Sequence, residues 1–124
     1  MTLDSITPTV PGFRVTHPEN LDEGRDSVTL YDGITVYPVE WSSPADGTAP
    51  IPRRAFVRFE PHAGYPEPDA HDVSAEEVLV VEGYLIDANG VHGPGTLIEG
   101  ARGTSHTPRT DETGCLLYVT FRDL

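Results

Sequence analysis

The chain has 124 residues, enough for one domain with a single core and too few for two. Its net charge is −12, and its eight basic residues form no patch, which argues against binding to nucleic acid or to an anionic membrane surface. No run of 18 apolar residues is present, so no membrane-spanning helix is predicted. The first eleven residues lack the basic and apolar stretches of a secretory signal, and we therefore expect a cytoplasmic location.

The N-terminal part of the chain differs in composition from the rest. Residues 1–27 are rich in Pro, Thr, Asp and Glu and contain few apolar residues. We predict that this segment is an extended arm, which packs on its own domain or on a neighbouring subunit. The folded domain is predicted over residues 28–124.

Short apolar runs separated by turn residues follow the arm. Twelve prolines and twelve glycines disfavour long helices, and the runs are rich in β-branched and aromatic residues. Asp32-Gly33 and Asn89-Gly90 are expected to form tight hairpin turns. Because strand edges need protection, an all-β jelly-roll barrel is the predicted architecture. Strands are predicted over residues 27–31, 34–41, 55–60, 65–71, 77–82, 84–87, 96–99, 106–109 and 115–122.

Four polar residues form the strongest candidate site. Asp69 and His71 are two apart in a predicted strand, so their side chains face the same side of it. Glu76 begins the next strand, and it faces the same interior if the two strands pair antiparallel. His106 starts a third strand after a glycine turn. Imidazoles and carboxylates that meet in this way can hold a divalent transition metal and leave coordination positions open.

The spacing of these residues resembles the first of the two motifs of the cupin superfamily. That motif is a glycine, then His-x-His, three or four residues, Glu, six residues and Gly. Here Asp69-Ala70-His71 is followed by four residues, Glu76, six residues and Gly83. The sequence departs from the motif at its first histidine, which is Asp69 in this chain.

The second cupin motif is also present in frame. Gly95 is followed by five residues, a tripeptide that begins with Ala101, two residues, His106, three residues and Thr110. Ala101 and Thr110 stand where the motif has Pro and Asn. Over roughly residues 53–121 the chain resembles a subgroup that contains acetylacetone dioxygenase-like enzymes and ChrR-type anti-sigma factors.

This resemblance implies a divalent metal held by His71, Glu76 and His106, with three alternatives for the site. Asp69 is a fourth ligand, or it binds no metal and leaves a two-His-one-carboxylate triad, or the site is degenerate and empty. Fe(II) is the favoured metal, and Zn, Mn and Ni are the others considered.

The function that the resemblance favours is an Fe(II) dioxygenase that acts on a small carbonyl-containing or phenolic substrate, with Asp69 as ligand or catalytic base. The alternatives are a non-redox isomerase, cyclase or lyase, and a non-catalytic ligand-binding cupin.

Alternation along the strand after Glu76 predicts which side chains enter the barrel. Val78 and Val80 share its parity and should face the interior, while Leu79 and Val81 face outward although they are apolar. Exposed apolar faces are usually covered by another part of the chain or by a partner. We therefore expect the arm or a second subunit to cover this face, and a homodimer is predicted.

Other residues with reactive side chains are given ordinary roles. His62 follows Pro61 in a turn and is predicted to be a surface residue, and His92 is predicted to be exposed near a hairpin. Cys115, the lone cysteine, opens an apolar strand and is predicted to be a buried, inert thiol. The direction of Arg58 is left open, because both faces of its strand are largely apolar.

Overall fold

The computed structural model describes residues 12–71 and 74–122. Of the predicted arm, residues 1–11 lie outside this part, as do the first two residues of the predicted loop over 72–75. The described residues form nine strands and one 3-10 turn, Pro18–Asn20, and among them no helix is long and apolar enough to cross a membrane. The strands are β1 Val28–Tyr31, β2 Ile34–Trp41, β3 Pro52–Phe59, β4 Asp69–Ala70, β5 Glu76–Asp87, β6 Gly90–His92, β7 Leu97–Gly100, β8 Ser105–His106 and β9 Arg109–Phe121.

The strands form two antiparallel sheets. The larger has seven strands in the order β1-β2-β3-β9-β5-β6, with β7 also paired to β5, and the smaller consists of β4 and β8. The all-β barrel class predicted from the sequence is confirmed. In the described part of the chain β4 pairs with β8 and not with β5, the strand that begins at Glu76, so the antiparallel pairing considered as a condition for Glu76 does not occur.

Strand β5 runs through the glycine that was expected to interrupt it. The ladder between β5 and β9 shifts register between Val80 and Glu82 and again between Gly83 and Leu85. Gly83 has φ +72, and a Cβ atom there would overlap the carbonyl oxygen of Gly114 on β9. The two bulges let β5 continue to Asp87, so this glycine permits a close approach of two backbones instead of ending a strand.

The core lies on the inner face of the large sheet. Val78 and Val80 are buried there, which confirms the predicted alternation. Leu85 is also buried in the core, although its parity along β5 is opposite to that of Val80. The bulges between these two positions therefore exchange the faces of the strand, and the residues after Gly83 do not follow the alternation of those before it.

A second cluster covers the outer face of the sheet. Leu21, just after the 3-10 turn, is fully buried against Tyr37 and Leu116, and Val81 packs on the same cluster. The N-terminal segment thus covers part of the apolar outer face, as one of the two predicted alternatives requires. Leu79 stays 39% exposed, so this face is only partly covered by the described residues.

Arg58 belongs to this outer layer. Its guanidinium group lies 5.6 Å from the centre of the Tyr37 ring, and its Nη1 atom lies 3.4 Å from a carboxylate oxygen of Asp22. The sequence left the direction of the Arg58 side chain open, and the structure shows that it points away from the barrel interior.

Candidate metal centre

The structure brings the four candidate residues together. Asp69 lies in β4, His71 follows that strand directly, Glu76 is the first residue of β5, and His106 ends β8. Asp69 and His106 are direct partners in the β4–β8 ladder. One potential ligand atom from each of the four residues lies within 4.8 Å of every other, so the site assembles although β4 and β5 do not pair.

The facing atoms are the Nε2 atoms of the two histidines and the carboxylate oxygens. Oδ2 of Asp69 lies 3.4 Å from Nε2 of His71 and 3.6 Å from Nε2 of His106. Oε2 of Glu76 lies 3.1 Å from Nε2 of His71. His71 and Glu76 are buried, whereas Asp69 and His106 are partly exposed. Two imidazoles and two carboxylates therefore converge on one partly exposed point.

The loop before β8 holds the ring of His71. The hydroxyl of Thr104 donates to the carbonyl oxygen of Ala101 at 2.6 Å, which leaves its oxygen free to accept from Nδ1 of His71 at 3.0 Å. This arrangement favours the tautomer with the proton on Nδ1, in which the lone pair of Nε2 is directed towards the cluster. Gly100 lies against the ring, because a Cβ atom there would lie 2.8 Å from Nδ1 of His71.

Asp87 holds the ring of His106, as Thr104 holds the ring of His71. Its Oδ2 atom accepts from Nδ1 of His106 at 3.4 Å, and its Oδ1 atom accepts from Nε2 of His92 at 2.9 Å. The prediction that His92 is exposed is wrong, because this bond holds its side chain at 17% exposure. Sequence reasoning missed Asp87, since alternation from Glu76 would place it on the opposite face. His62 is exposed, as predicted.

The carboxylates of Asp69 and Glu76 lie close together. Burial and the negative charge of Asp69 raise the pKa of Glu76 to about 7, against an opposing effect of His106. The nearby carboxylate of Asp69 is the main cause that raises the pKa of His106, while burial opposes it. A cation at this point would relieve the repulsion between the carboxylates, so the donor set fits a divalent transition metal.

Cys115 takes no part in this centre. Burial raises the pKa of its thiol to about 12. The predicted burial of this thiol is therefore confirmed, and its inertness stays a prediction.

Two cavities meet at the cluster, because Glu76 and His106 line both. The first has a volume of about 260 Å³, and Asp69 and the aromatic ring of Tyr65 also line it. Burial raises the pKa of Tyr65, so its hydroxyl keeps its proton at neutral pH. The remaining wall is largely apolar and includes Val36, Val57, Phe59, Leu85 and Leu117. The second, of about 280 Å³, is more polar and includes His71 and Asp87.

The family is decided by a comparison of the sequence with known protein families. The family model described as "ChrR Cupin-like domain" matches residues 26–124. The chain belongs to this cupin family. The match supports the ChrR-type branch of the cupins, whereas membership of the acetylacetone dioxygenase-like subgroup stays a prediction. No curated protein matches the chain.

Solved structures share the fold of this cupin at low sequence identity. An RmlC-like cupin from Shewanella frigidimarina NCIMB 400 has a TM-score of 0.62 and 17% identity, with 82% of this chain and 86% of that chain covered. KdgF from Halomonas sp. has a TM-score of 0.59 and 19% identity, with 80% and 86% covered. A chain in the complex of Rhodobacter sphaeroides SigE with the anti-sigma ChrR has a TM-score of 0.60 and 19% identity, with 81% of this chain covered. This cupin spans 51% of that chain.

Proposed function

We propose that this cupin is a metal-dependent enzyme, an Fe(II) dioxygenase that acts on a small carbonyl-containing or phenolic compound. The observation that carries the proposal is the convergence of Asp69, His71, Glu76 and His106, of which Asp69, Glu76 and His106 line a largely apolar cavity. Two histidines and a carboxylate are the donor set that non-haem Fe(II) oxygenases use. The cytoplasmic location predicted from the sequence is a reducing compartment, which favours iron in the Fe(II) state.

The chain would hold the metal through His71, Glu76 and His106, with Asp69 as a fourth ligand or as a base beside the site. A bound Fe(II) ion would supply Lewis acidity towards a carbonyl or phenol oxygen and redox chemistry towards dioxygen. Asp69 is 27% exposed and lines the cavity, so its carboxylate can accept a proton from a bound substrate.

The charge of the site favours a substrate with little net charge. Two carboxylates balance a divalent ion, and the described residues that line the apolar cavity include no Arg. Arg58 lies on β3, and the sequence left the direction of its side chain open. In the structure this side chain points outward to Asp22. A β-diketone or an α-hydroxyketone, which chelates through two oxygens, suits this site better than a polyanion does.

The test is oxygen consumption by protein purified without an affinity tag and loaded anaerobically with Fe(II). We expect about one iron per chain by metal analysis, and oxygen uptake with members of a panel of β-diketones, α-hydroxyketones and catechols. His106→Ala should abolish both. His62→Asn is the matched control, because His62 is exposed and adopts φ 65, a conformation that Asn tolerates. Protein that retains no iron after the loading step, or unchanged activity in His106→Ala, would refute the proposal.

A non-redox isomerase, cyclase or lyase is the second candidate. It is favoured by the second carboxylate, because Oδ2 of Asp69 lies close to both Nε2 atoms and makes the donor set suitable for Zn, Mn or Ni. In this case Asp69 would move a proton while the metal polarises a carbonyl. Turnover under strict anaerobiosis would favour this candidate. Stoichiometric binding of a substrate without turnover in either condition would indicate a ligand-binding cupin.

A further inference from the structure

Asp87 is one of the most buried charged side chains of the site, with 1% of the side chain exposed. Three donors share its two oxygens. Oδ1 accepts from the backbone N–H of Asn89 at 2.9 Å and from Nε2 of His92 at 2.9 Å, and Oδ2 accepts from Nδ1 of His106 at 3.4 Å. These bonds connect a hairpin turn, a partly buried histidine and a residue of the candidate metal centre through one carboxylate.

The ring of a metal-binding histidine can bind through either nitrogen, so its other nitrogen has to be held for one geometry to be favoured. A carboxylate that accepts from the second nitrogen fixes both the tautomer and the ring orientation. At His106 the nitrogen that faces Asp69 is Nε2, and the nitrogen that faces Asp87 is Nδ1. Asp87 is therefore placed to keep Nε2 of His106 available at the centre.

We propose that Asp87 is a positioning residue, which holds His106 as an Nε2 ligand, and that His92 holds Asp87 in place for this purpose. The proposal rests on the proposed function, because it assumes that His106 binds a metal. It assigns a role in the site to two residues that lie outside both cupin motifs as they occur in this chain.

The simpler explanation is that Asp87 only caps the turn that precedes Gly90. Asp111 provides a matched control for it. Its Oδ1 atom accepts from the backbone N–H of Thr113 at 2.9 Å, the same bond two residues along the chain that Asp87 makes with Asn89. Asp111→Asn and Asp87→Asn therefore perturb the same kind of turn, but only Asp87 also contacts a histidine of the centre, His106.

The first readout is Co(II) affinity, measured by titration of the metal-free protein and by the visible absorption of the bound ion. Asp87→Asn should weaken Co(II) binding by about 10- to 100-fold and change the absorption spectrum, because an amide cannot accept from both imidazoles while it caps the turn. Asp111→Asn should change the affinity by less than about twofold. An equal affinity of Asp87→Asn and the wild-type protein would overturn the proposal while leaving the proposed function intact.

The second readout is the tautomer of His106 in the metal-free protein, from long-range ¹H–¹⁵N spectra at a pH at which the ring is neutral. The wild-type protein should carry the proton on Nδ1, and Asp87→Asn should show a mixture. A wild-type ring protonated on Nε2 would overturn the proposal. If the wild-type protein binds no Co(II) at all, both the proposal and the proposed function fail.

His92 supplies a test that does not depend on the folding of Asp87→Asn. His92→Gln keeps a side-chain N–H that can donate to Asp87, whereas His92→Phe keeps the bulk and removes the donor. We expect near-wild-type Co(II) affinity for the Gln variant and at least about threefold weaker binding for the Phe variant. Equal affinities of the two variants would overturn the role proposed for His92.

Discussion

Replacing Glu76 by Gln tests the crowding of carboxylates at the candidate metal centre, because it removes one charge and keeps the shape of the side chain. In the metal-free protein the pKa of Glu76 is raised from 4.5 to about 7 by burial and by Asp69. Between these two pH values the folded protein keeps a proton that the unfolded chain has released. The metal-free protein should therefore lose stability as the pH rises through this range.

The size of the effect follows from the two pKa values. A change from 4.5 to about 7, at about 1.4 kcal/mol for each pH unit, corresponds to about 3 kcal/mol at pH 8. Glu76→Gln never ionises and avoids this loss. We expect the variant to exceed the wild-type protein in free energy of unfolding by up to about 3 kcal/mol at pH 8, and to match it near pH 4.5.

The assay is urea denaturation with a chelator present, at pH 4.5 and pH 8. Glu77→Gln is the control, since Glu77 pairs with Arg122 at the surface and should change the stability by less than about 1 kcal/mol at either pH. With a divalent metal in place of the chelator the order should reverse, because a ligand that binds only the folded state stabilises the wild-type protein more than the variant, which lacks one carboxylate ligand. A Glu76→Gln variant that is no more stable than the wild-type protein at pH 8 in chelator would refute the reasoning.

Three further predictions concern the surroundings of the centre. Gly100→Ala should weaken metal binding, measured by titration, by at least about tenfold, because its Cβ atom would displace the ring of His71. Gly93→Ala is the control, because its Cβ atom would meet a tyrosine ring instead and the affinity should not change. Thr104→Val should weaken binding by about 10- to 100-fold and Thr104→Ser should restore it, since only the hydroxyl accepts from His71; equal affinities would contradict this role. The predicted homodimer should sediment at micromolar concentration with twice the mass of one chain, and Leu97→Glu, at a position 54% exposed on the outer face, should yield monomers; a wild-type monomer would count against the dimer.

The four residues of the centre could be found from the sequence because their spacing follows local geometry. Asp69 and His71 are two apart and face the same side, and this holds for any strand. The separations to Glu76 and Gly83 resemble those of a known motif. In proteins with this motif these residues meet in space, which alternation along one strand cannot predict. Whether the strands of Asp69 and Glu76 pair was left open, because spacing does not report which strands are neighbours, and in the structure β4 pairs with β8 instead.

The residues that hold the two histidines could not be found in this way. Asp87 lies eleven residues after Glu76, and strict alternation would place it on the other face of β5. The bulges on either side of Gly83 reverse the faces, and nothing in the local sequence states how many residues a bulge adds. Thr104 was missed for a different reason, since its contact with His71 depends on how a loop returns to the end of a distant strand.

Leu21 shows that the limits of a sequence family and of a folded unit need not coincide. The family match begins at residue 26, yet Leu21 is fully buried in the outer cluster of this barrel. A fragment designed from the match alone would therefore discard a core side chain and leave the apolar faces of Tyr37 and Leu116 open to water. For expression and crystallisation, the five residues before the family boundary belong to the protein's minimal stable length.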